Sequence, residues 1–64
     1  MKVEVYYKKE VDLENTTFFN IKDLEICGKY LRVIEDDKRE EKYGIETAKI
    51  IPLDVIEEYK VSSF

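Results

Sequence analysis

The side chains with the most obvious catalytic potential in this chain are one cysteine and two adjacent serines. Histidine, the commonest general base and the commonest metal ligand, does not occur in the 64 residues. Cys27 would need a positive environment to form a thiolate, but Glu25 is close by instead. Ser62 and Ser63 lie beside the terminal Phe64, without a histidine to activate them. The sequence therefore predicts that the protein is not an enzyme.

Carboxylates are plentiful and could hold a divalent cation if several of them converged. The densest group lies in residues 35–42, which are all charged and include Lys38, Arg39 and Lys42. These residues lack the alternate ligand spacing and central glycine of an EF-hand loop. Charge runs are usually solvated, and two isolated glycines do not make a phosphate-binding loop. We expect no metal site and no cofactor.

The charge balance is acidic, with fifteen acidic residues against eleven basic ones and a net charge of −4. Nucleic acids and anionic membranes attract basic proteins, so both are disfavoured as partners. No apolar stretch approaches the roughly 20 residues of a membrane-spanning helix, and the first residues do not resemble a signal peptide. A single cysteine is typical of a reducing compartment. We therefore expect a cytoplasmic location.

Four residues form the candidate binding surface: Tyr6, Tyr30, Arg32 and Ile34. Tyr6 lies on the charged face of an alternating first segment, residues 2–8. The other three alternate along a second strand and share one face of it. Tyrosine and arginine are enriched at binding hot spots, and exposed patches of this kind often mark interfaces. The alternative is that the same chain covers this face by closing into a barrel.

The strongest structural pattern is a hairpin around Gly28-Lys29, where glycine suits the first central position of a type II′ turn. This turn sets a register whose apolar pairs share one face. The predicted pairs are Cys27 with Tyr30, Ile26 with Leu31, Glu25 with Arg32, Leu24 with Val33, and Lys22 with Glu35.

The remaining segments are predicted less directly. Residues 9–17 are predicted to form a loop that places Val11 or Leu13 at the edge of the core. Residues 35–42 favour either a hairpin tip or one helical turn that stops near Gly44, and a strand follows over 45–51. Pro52 marks a break, after which a short 3₁₀ turn and a final strand compete with a helix over 52–60.

The predicted fold is a single mostly β domain over residues 1–64, a five-stranded antiparallel bent sheet or SH3-like barrel with a 3₁₀ turn near Pro52. Residues 48–56 resemble the strand, 3₁₀ turn and strand that end SH3-like and Sm-like barrels, which implies an architecture only. An α+β fold with a C-terminal helix over 52–60 is the alternative.

These observations favour a small non-catalytic protein-binding or inhibitory accessory module, of the kind that phages and mobile elements encode. It would act through the Tyr/Arg sheet face or an open strand edge, on a protein partner or a second copy of itself. So short a chain has a modest core, and a homodimer would help to stabilise it. The alternative function is a nucleic-acid-binding small β-barrel.

Overall fold

The structure is a computed structural model that describes residues 1–36, 42–44 and 46–63. Its strands form two three-stranded antiparallel sheets, β2-β1-β6 and β3-β4-β5. The prediction of a mostly β protein is confirmed. The two sheets are not closed into a barrel, so neither the expected single five-stranded sheet nor the SH3-like barrel is confirmed. The elements are β1 (Lys2–Tyr7), β2 (Thr16–Phe18), β3 (Ile21–Cys27), β4 (Tyr30–Glu35), β5 (Ala48–Pro52), a 3₁₀ turn (Leu53–Val55) and β6 (Ile56–Ser62).

The additional strand arises at a turn before the hairpin. Asn20 has a φ of 56°, a left-handed conformation that asparagine tolerates better than most residues. It separates β2, which pairs with β1, from β3, which pairs with β4. The predicted loop 9–17 therefore ends in a strand. Its Leu13 is exposed and Val11 half-buried, while Phe18 packs against the core instead.

The core lies between the two sheets and follows the alternation of the strands. Val3 and Val5 of β1 and Leu31 and Val33 of β4 are fully buried. A fully buried aliphatic side chain contributes roughly 1.5–3 kcal/mol relative to an exposed one. The cluster is completed by Ile21 and Ile51, with half-buried Met1, Tyr7, Phe18, Leu24, Leu53, Val55 and Ile56 packed against it.

The sheets are also joined through the backbone at the start of β1. The terminal ammonium group of Met1 donates to the Ile21 carbonyl at 3.0 Å, and the Ile21 N–H donates back to the Met1 carbonyl at 3.0 Å. Sheet β2-β1-β6 is therefore tied to the first residue of β3.

The predicted hairpin is confirmed at its turn and at four of its five pairs, from Cys27↔Tyr30 to Leu24↔Val33. Gly28 has a φ of 61°, as the first central position of a type II′ turn requires.

The fifth predicted pair, Lys22 with Glu35, is wrong, because an irregularity between Ile21 and Asp23 places Ile21 opposite Glu35. Strict alternation from Leu24 would direct Lys22 toward the core. The bulge gives that inward position to Ile21, which is 3% exposed, and leaves Lys22 exposed.

The C-terminal segment follows the turn-then-strand prediction, and the alternative helix over 52–60 is wrong. Pro52 is the last residue of β5, lies opposite Tyr30 and has no N–H to donate. The next N–H, that of Leu53, donates to the Lys29 carbonyl at 2.9 Å. The chain then turns and pairs β6 with β1.

The strand predicted over 45–51 begins only at Ala48. The predicted hairpin tip or helical turn in residues 35–42 falls mostly on residues 37–41, which lie outside the described residues, as does residue 45.

Candidate functional site

The structure separates the four predicted binding residues between the two sheets. Tyr6 belongs to β1, on the side opposite to the buried Val3 and Val5. Tyr30, Arg32 and Ile34 belong to β4 and alternate with Leu31 and Val33, which are fully buried. Tyr6 is therefore not brought together with the other three.

Three rows on the outward side of sheet β3-β4-β5 cross all three strands, and the row of Asp23, Ile34 and Ala48 contains the buried Ile34. The other two rows lie nearer the Gly28-Lys29 turn. One row is Cys27, Tyr30 and Pro52, and the next is Glu25, Arg32 and Ile50. We call these six residues the Arg32 face. Side chains directly opposite each other on neighbouring strands lie within contact range, so the two rows form one continuous surface.

Charged groups hold the centre of the Arg32 face. Arg32 Nη1 donates to Glu25 Oε1 at 2.5 Å, and Arg32 Nη2 donates to Glu46 Oε1. The hydrogen bond that Arg32 donates to Glu25 and the charge of Glu46 raise the pKa of Arg32, so its guanidinium stays charged. Two carboxylates thus fix one arginine, and the cluster carries an excess negative charge.

Cys27 belongs to the same network. Its thiol Sγ lies 3.6 Å from Glu25 Oε1 and donates to it. Desolvation and this hydrogen bond raise the pKa of Cys27 above its ordinary value of 9.0. The environment therefore favours the protonated thiol and opposes its use as a nucleophile.

Apolar groups surround the charged centre. Tyr30 is 49% exposed and Ile50 is 54% exposed, and Pro52 is also exposed. Ile34 differs, because it is only 6% exposed and offers little free surface. The patch is thus formed by Tyr30, Ile50 and Pro52, and Ile34 is not part of it.

Ile50 and Pro52 were missed as surface residues in the sequence. Their position depends on the pairing of β5 with β4, which no local turn motif indicates. One signal was available: Ile50 and Ile51 are adjacent in a strand, so one of them has to point away from the core. Ile51 is the buried one, at 8% exposure.

The outward side of the other sheet is polar and paired within itself. Glu4 accepts a hydrogen bond from the Tyr6 hydroxyl at 2.5 Å and lies 3.2 Å from Lys2 Nζ. Lys60 Nζ lies 5.4 Å from the centre of the Tyr6 ring. The Tyr6 hydrogen bond, followed by that of Lys2, lowers the pKa of Glu4, and the bond to Glu4 raises the pKa of Tyr6.

An open depression of about 400 Å³ lies at the end of the same sheet. Two residues of its lining are joined by a hydrogen bond that the Tyr7 N–H donates to Asn15 Oδ1 at 3.1 Å. Among the described residues, every buried side-chain nitrogen or oxygen has a hydrogen-bond partner, so the depression contains no buried polar group that lacks one. It is lined by Tyr6, Tyr7, Lys9, Glu10, Asn15 and Glu57.

The described ranges 1–36, 42–44 and 46–63 contain no group of three or more metal-ligating side chains placed to hold a metal ion. They also contain no helix long and apolar enough to cross a membrane. Comparisons with protein-family models, curated proteins and solved structures find no match for this chain.

Proposed function

We propose that this protein is a non-catalytic binding module that engages another protein through the Arg32 face. The observation that carries the proposal is the exposure of Tyr30, Ile50 and Pro52 around an arginine held by two carboxylates. An apolar rim with a fixed charged centre combines the area and the orientation that a specific protein interface needs.

The strands that carry this surface favour binding energetically. Tyr30 and Arg32 lie on the central strand of a three-stranded sheet, and Ile50 lies on its neighbour. Side chains on a preformed sheet lose less conformational freedom on binding than those on a loop. Arg32 is also already immobilised by Glu25 and Glu46, so little rotamer entropy remains to be lost.

The charge of the surface indicates the chemistry of the partner. Glu25 and Glu46 exceed the charge of Arg32 by one, within a chain whose net charge is −4. A complementary protein surface would offer an apolar pocket for Tyr30 or Ile50, bordered by lysine or arginine. Phosphate groups would meet carboxylates here, which disfavours the alternative of a nucleic-acid-binding barrel.

The proposal extends to the architecture. Only Phe19 and Asn20 separate β2 from β3. If β2 and β3 are counted as one bent strand, the order β6-β1-(β2, β3)-β4-β5, with a 3₁₀ turn before the last strand, resembles an SH3-like barrel. Because such barrels serve unrelated functions, the resemblance supports a small binding module without specifying its partner.

The test compares two outward surfaces with matched variants. The double variant Tyr30→Ser/Ile50→Ser removes the apolar rim, and Tyr6→Ser makes a similar change on the other sheet. Each tagged protein captures partners from a lysate of its own cells, and any captured protein is purified and titrated by calorimetry. We expect the double variant to weaken that binding about tenfold or more, as loss of hot-spot residues does.

The controls separate binding from folding and from nucleic-acid capture. Circular dichroism should show that both variants remain folded, since the substituted side chains lie outside the core. Tyr6→Ser should bind like the wild type. Equal weakening by both variants, or a DNA or RNA mobility shift at low salt that depends on Tyr30, would contradict the proposal.

A further inference from the structure

The free edge of β6 forms a second surface, separate from the Arg32 face. Sheet order β2-β1-β6 places β6 at an edge, where one side pairs with β1. In the part of the chain that the structure describes, the other side has no strand partner. Proteins usually protect such edges, because their unpaired N–H and C=O groups attract a further strand.

The hydrogen bonds of β1 determine which groups of β6 point to this edge. The Tyr7 N–H donates toward β2, to Asn15 Oδ1, whereas the Lys8 N–H donates toward β6, to the Val55 carbonyl at 3.0 Å. Backbone groups of successive residues in a strand point to alternate sides. The even-numbered residues of β1, including Glu4, therefore bond to β6.

The register then identifies the exposed backbone groups. Lys60 lies opposite Glu4, so Lys60 directs its N–H and C=O toward β1. Its neighbours Tyr59 and Val61 direct theirs toward the free edge. An added strand would therefore form its hydrogen bonds with the N–H and C=O groups of Tyr59 and Val61.

The side chains of the same two residues are incompletely covered. Val61 lies opposite Val3 and Tyr59 lies opposite Val5, so they share the face of β1 that packs on the core. Nevertheless, Tyr59 is 37% exposed and Val61 is 50% exposed, while Val3 and Val5 are fully buried. The edge thus combines free backbone groups with uncovered apolar side chains.

We propose that a second copy of the chain pairs antiparallel along this edge, with Tyr59 opposite Tyr59 of the second copy. The β2-β1-β6 sheet of each copy would join that of the other, which gives one six-stranded sheet across the dimer. A two-fold axis perpendicular to the sheet relates the copies. It passes between the same residue of each copy, and that residue has to direct its N–H and C=O toward the free edge.

Charge selects this register among the possible ones. With Tyr59 at the axis, Glu58 lies opposite Lys60 of the second copy, and the symmetry repeats that opposite-charge pair. An axis at Glu57 would oppose two identical carboxylates at a bulged position. An axis at Val61 would place Lys60 opposite Ser62 of the second copy, which has no charge to pair with it. Only the Tyr59 register is self-complementary.

The experiment measures mass by sedimentation equilibrium for the wild type, Glu58→Lys and Lys60→Glu. The wild type should approach twice the 7.7 kDa of one chain. Each single variant places like charges opposite each other twice, so its dimer should weaken tenfold or more. An equimolar mixture of the two variants restores both opposite-charge pairs and should recover the dimer.

A backbone variant provides an independent test. Tyr59→Pro removes an N–H that faces the free edge and takes no part in the pairing with β1, and proline is tolerated on edge strands. It should therefore remain folded by circular dichroism and sediment as a monomer. Amide exchange at Tyr59 and Val61 in the wild type should slow as protein concentration rises.

Three results would overturn the proposal. The first is a wild type that stays monomeric up to millimolar concentration. The second is a dimer whose mass is unaffected by Glu58→Lys and Tyr59→Pro. The third is a dimer lost in Tyr30→Ser/Ile50→Ser, which would assign self-association to the Arg32 face.

Discussion

The outward sides of the two sheets are built from the same kind of alternating strand, yet they differ in what they leave exposed. On β1, Glu4 is bonded by Tyr6 and Lys2, and Lys60 lies over the Tyr6 ring. Each of these groups has a partner on its own sheet. The Arg32 face also satisfies its charges internally, but apolar side chains surround them.

The comparison shows that charge pairing alone does not separate a solvated surface from a candidate interface. Both sides have an internal network. What differs is the residue one strand away, which is Lys60 beside β1 and Ile50 beside β4. A neighbouring lysine keeps the first side hydrated, whereas a neighbouring isoleucine leaves apolar area that only a partner would remove from water.

The largest expected effect contrasts the two sides of sheet β3-β4-β5. Leu31 is fully buried, so Leu31→Ala should lower the free energy of unfolding by about 2–5 kcal/mol. Ile50 is 54% exposed, and Ile50→Ala should cost about 0.5 kcal/mol or less. Denaturant titrations with matched m-values measure both. Comparable losses would mean that Ile50 is structural and would remove it from the proposed binding surface.

A smaller effect is expected at the turn that aligns the two rows of the Arg32 face. Gly28 has a φ of 61°, and outside its two chain neighbours no residue has an atom within 4 Å of an added Cβ. Gly28→Ala should therefore cost about 1–2 kcal/mol, from backbone strain alone. Lys29→Ala is the control and should be nearly neutral. Equal stability of the two variants in thermal unfolding would contradict the assigned turn.

The hairpin could be predicted because three local signals agree within ten or so residues. The turn glycine, the apolar alternation and the Glu25–Arg32 pair all specify one register. The bulge at Lys22 could not be predicted from such local signals. It depends on the core having room for Ile21, and that room is created by β1, which lies some twenty residues away in the chain.

The candidate site was predictable only where it lies within the hairpin. Tyr30 and Arg32 share a face by alternation along one strand, which the sequence expresses directly. Tyr6 was grouped with them by residue type, but it lies on a strand that pairs with β6 at the far end of the chain. Ile50 was missed because the pairing of β5 with β4 spans a charged connection without a diagnostic turn.

The smallest expected effect tests the internal bonding of the β1 side. The Tyr6 hydrogen bond is the main cause of the lowered pKa of Glu4, with Lys2 second. Tyr6→Phe should therefore move the pKa of Glu4 back toward its ordinary value of 4.5 without reaching it, because Lys2 remains. Carboxyl chemical shifts in an NMR titration measure this directly, and Tyr59→Phe is the control.

The sign of the accompanying stability change follows from the same shifts. A lowered pKa of Glu4 stabilises the fold above pH 4.5, and this contribution is lost as the pH falls through the folded-state value. A raised pKa of Tyr6 stabilises it below pH 10.0 and is lost as the pH rises through the folded-state value. The stability difference between wild type and Tyr6→Phe should therefore be constant between these limits and shrink beyond both. A difference that stays constant as Glu4 is protonated in acid would show that Tyr6 acts through packing, and the β1 side would then resemble the Arg32 face more closely than its hydrogen bonds indicate.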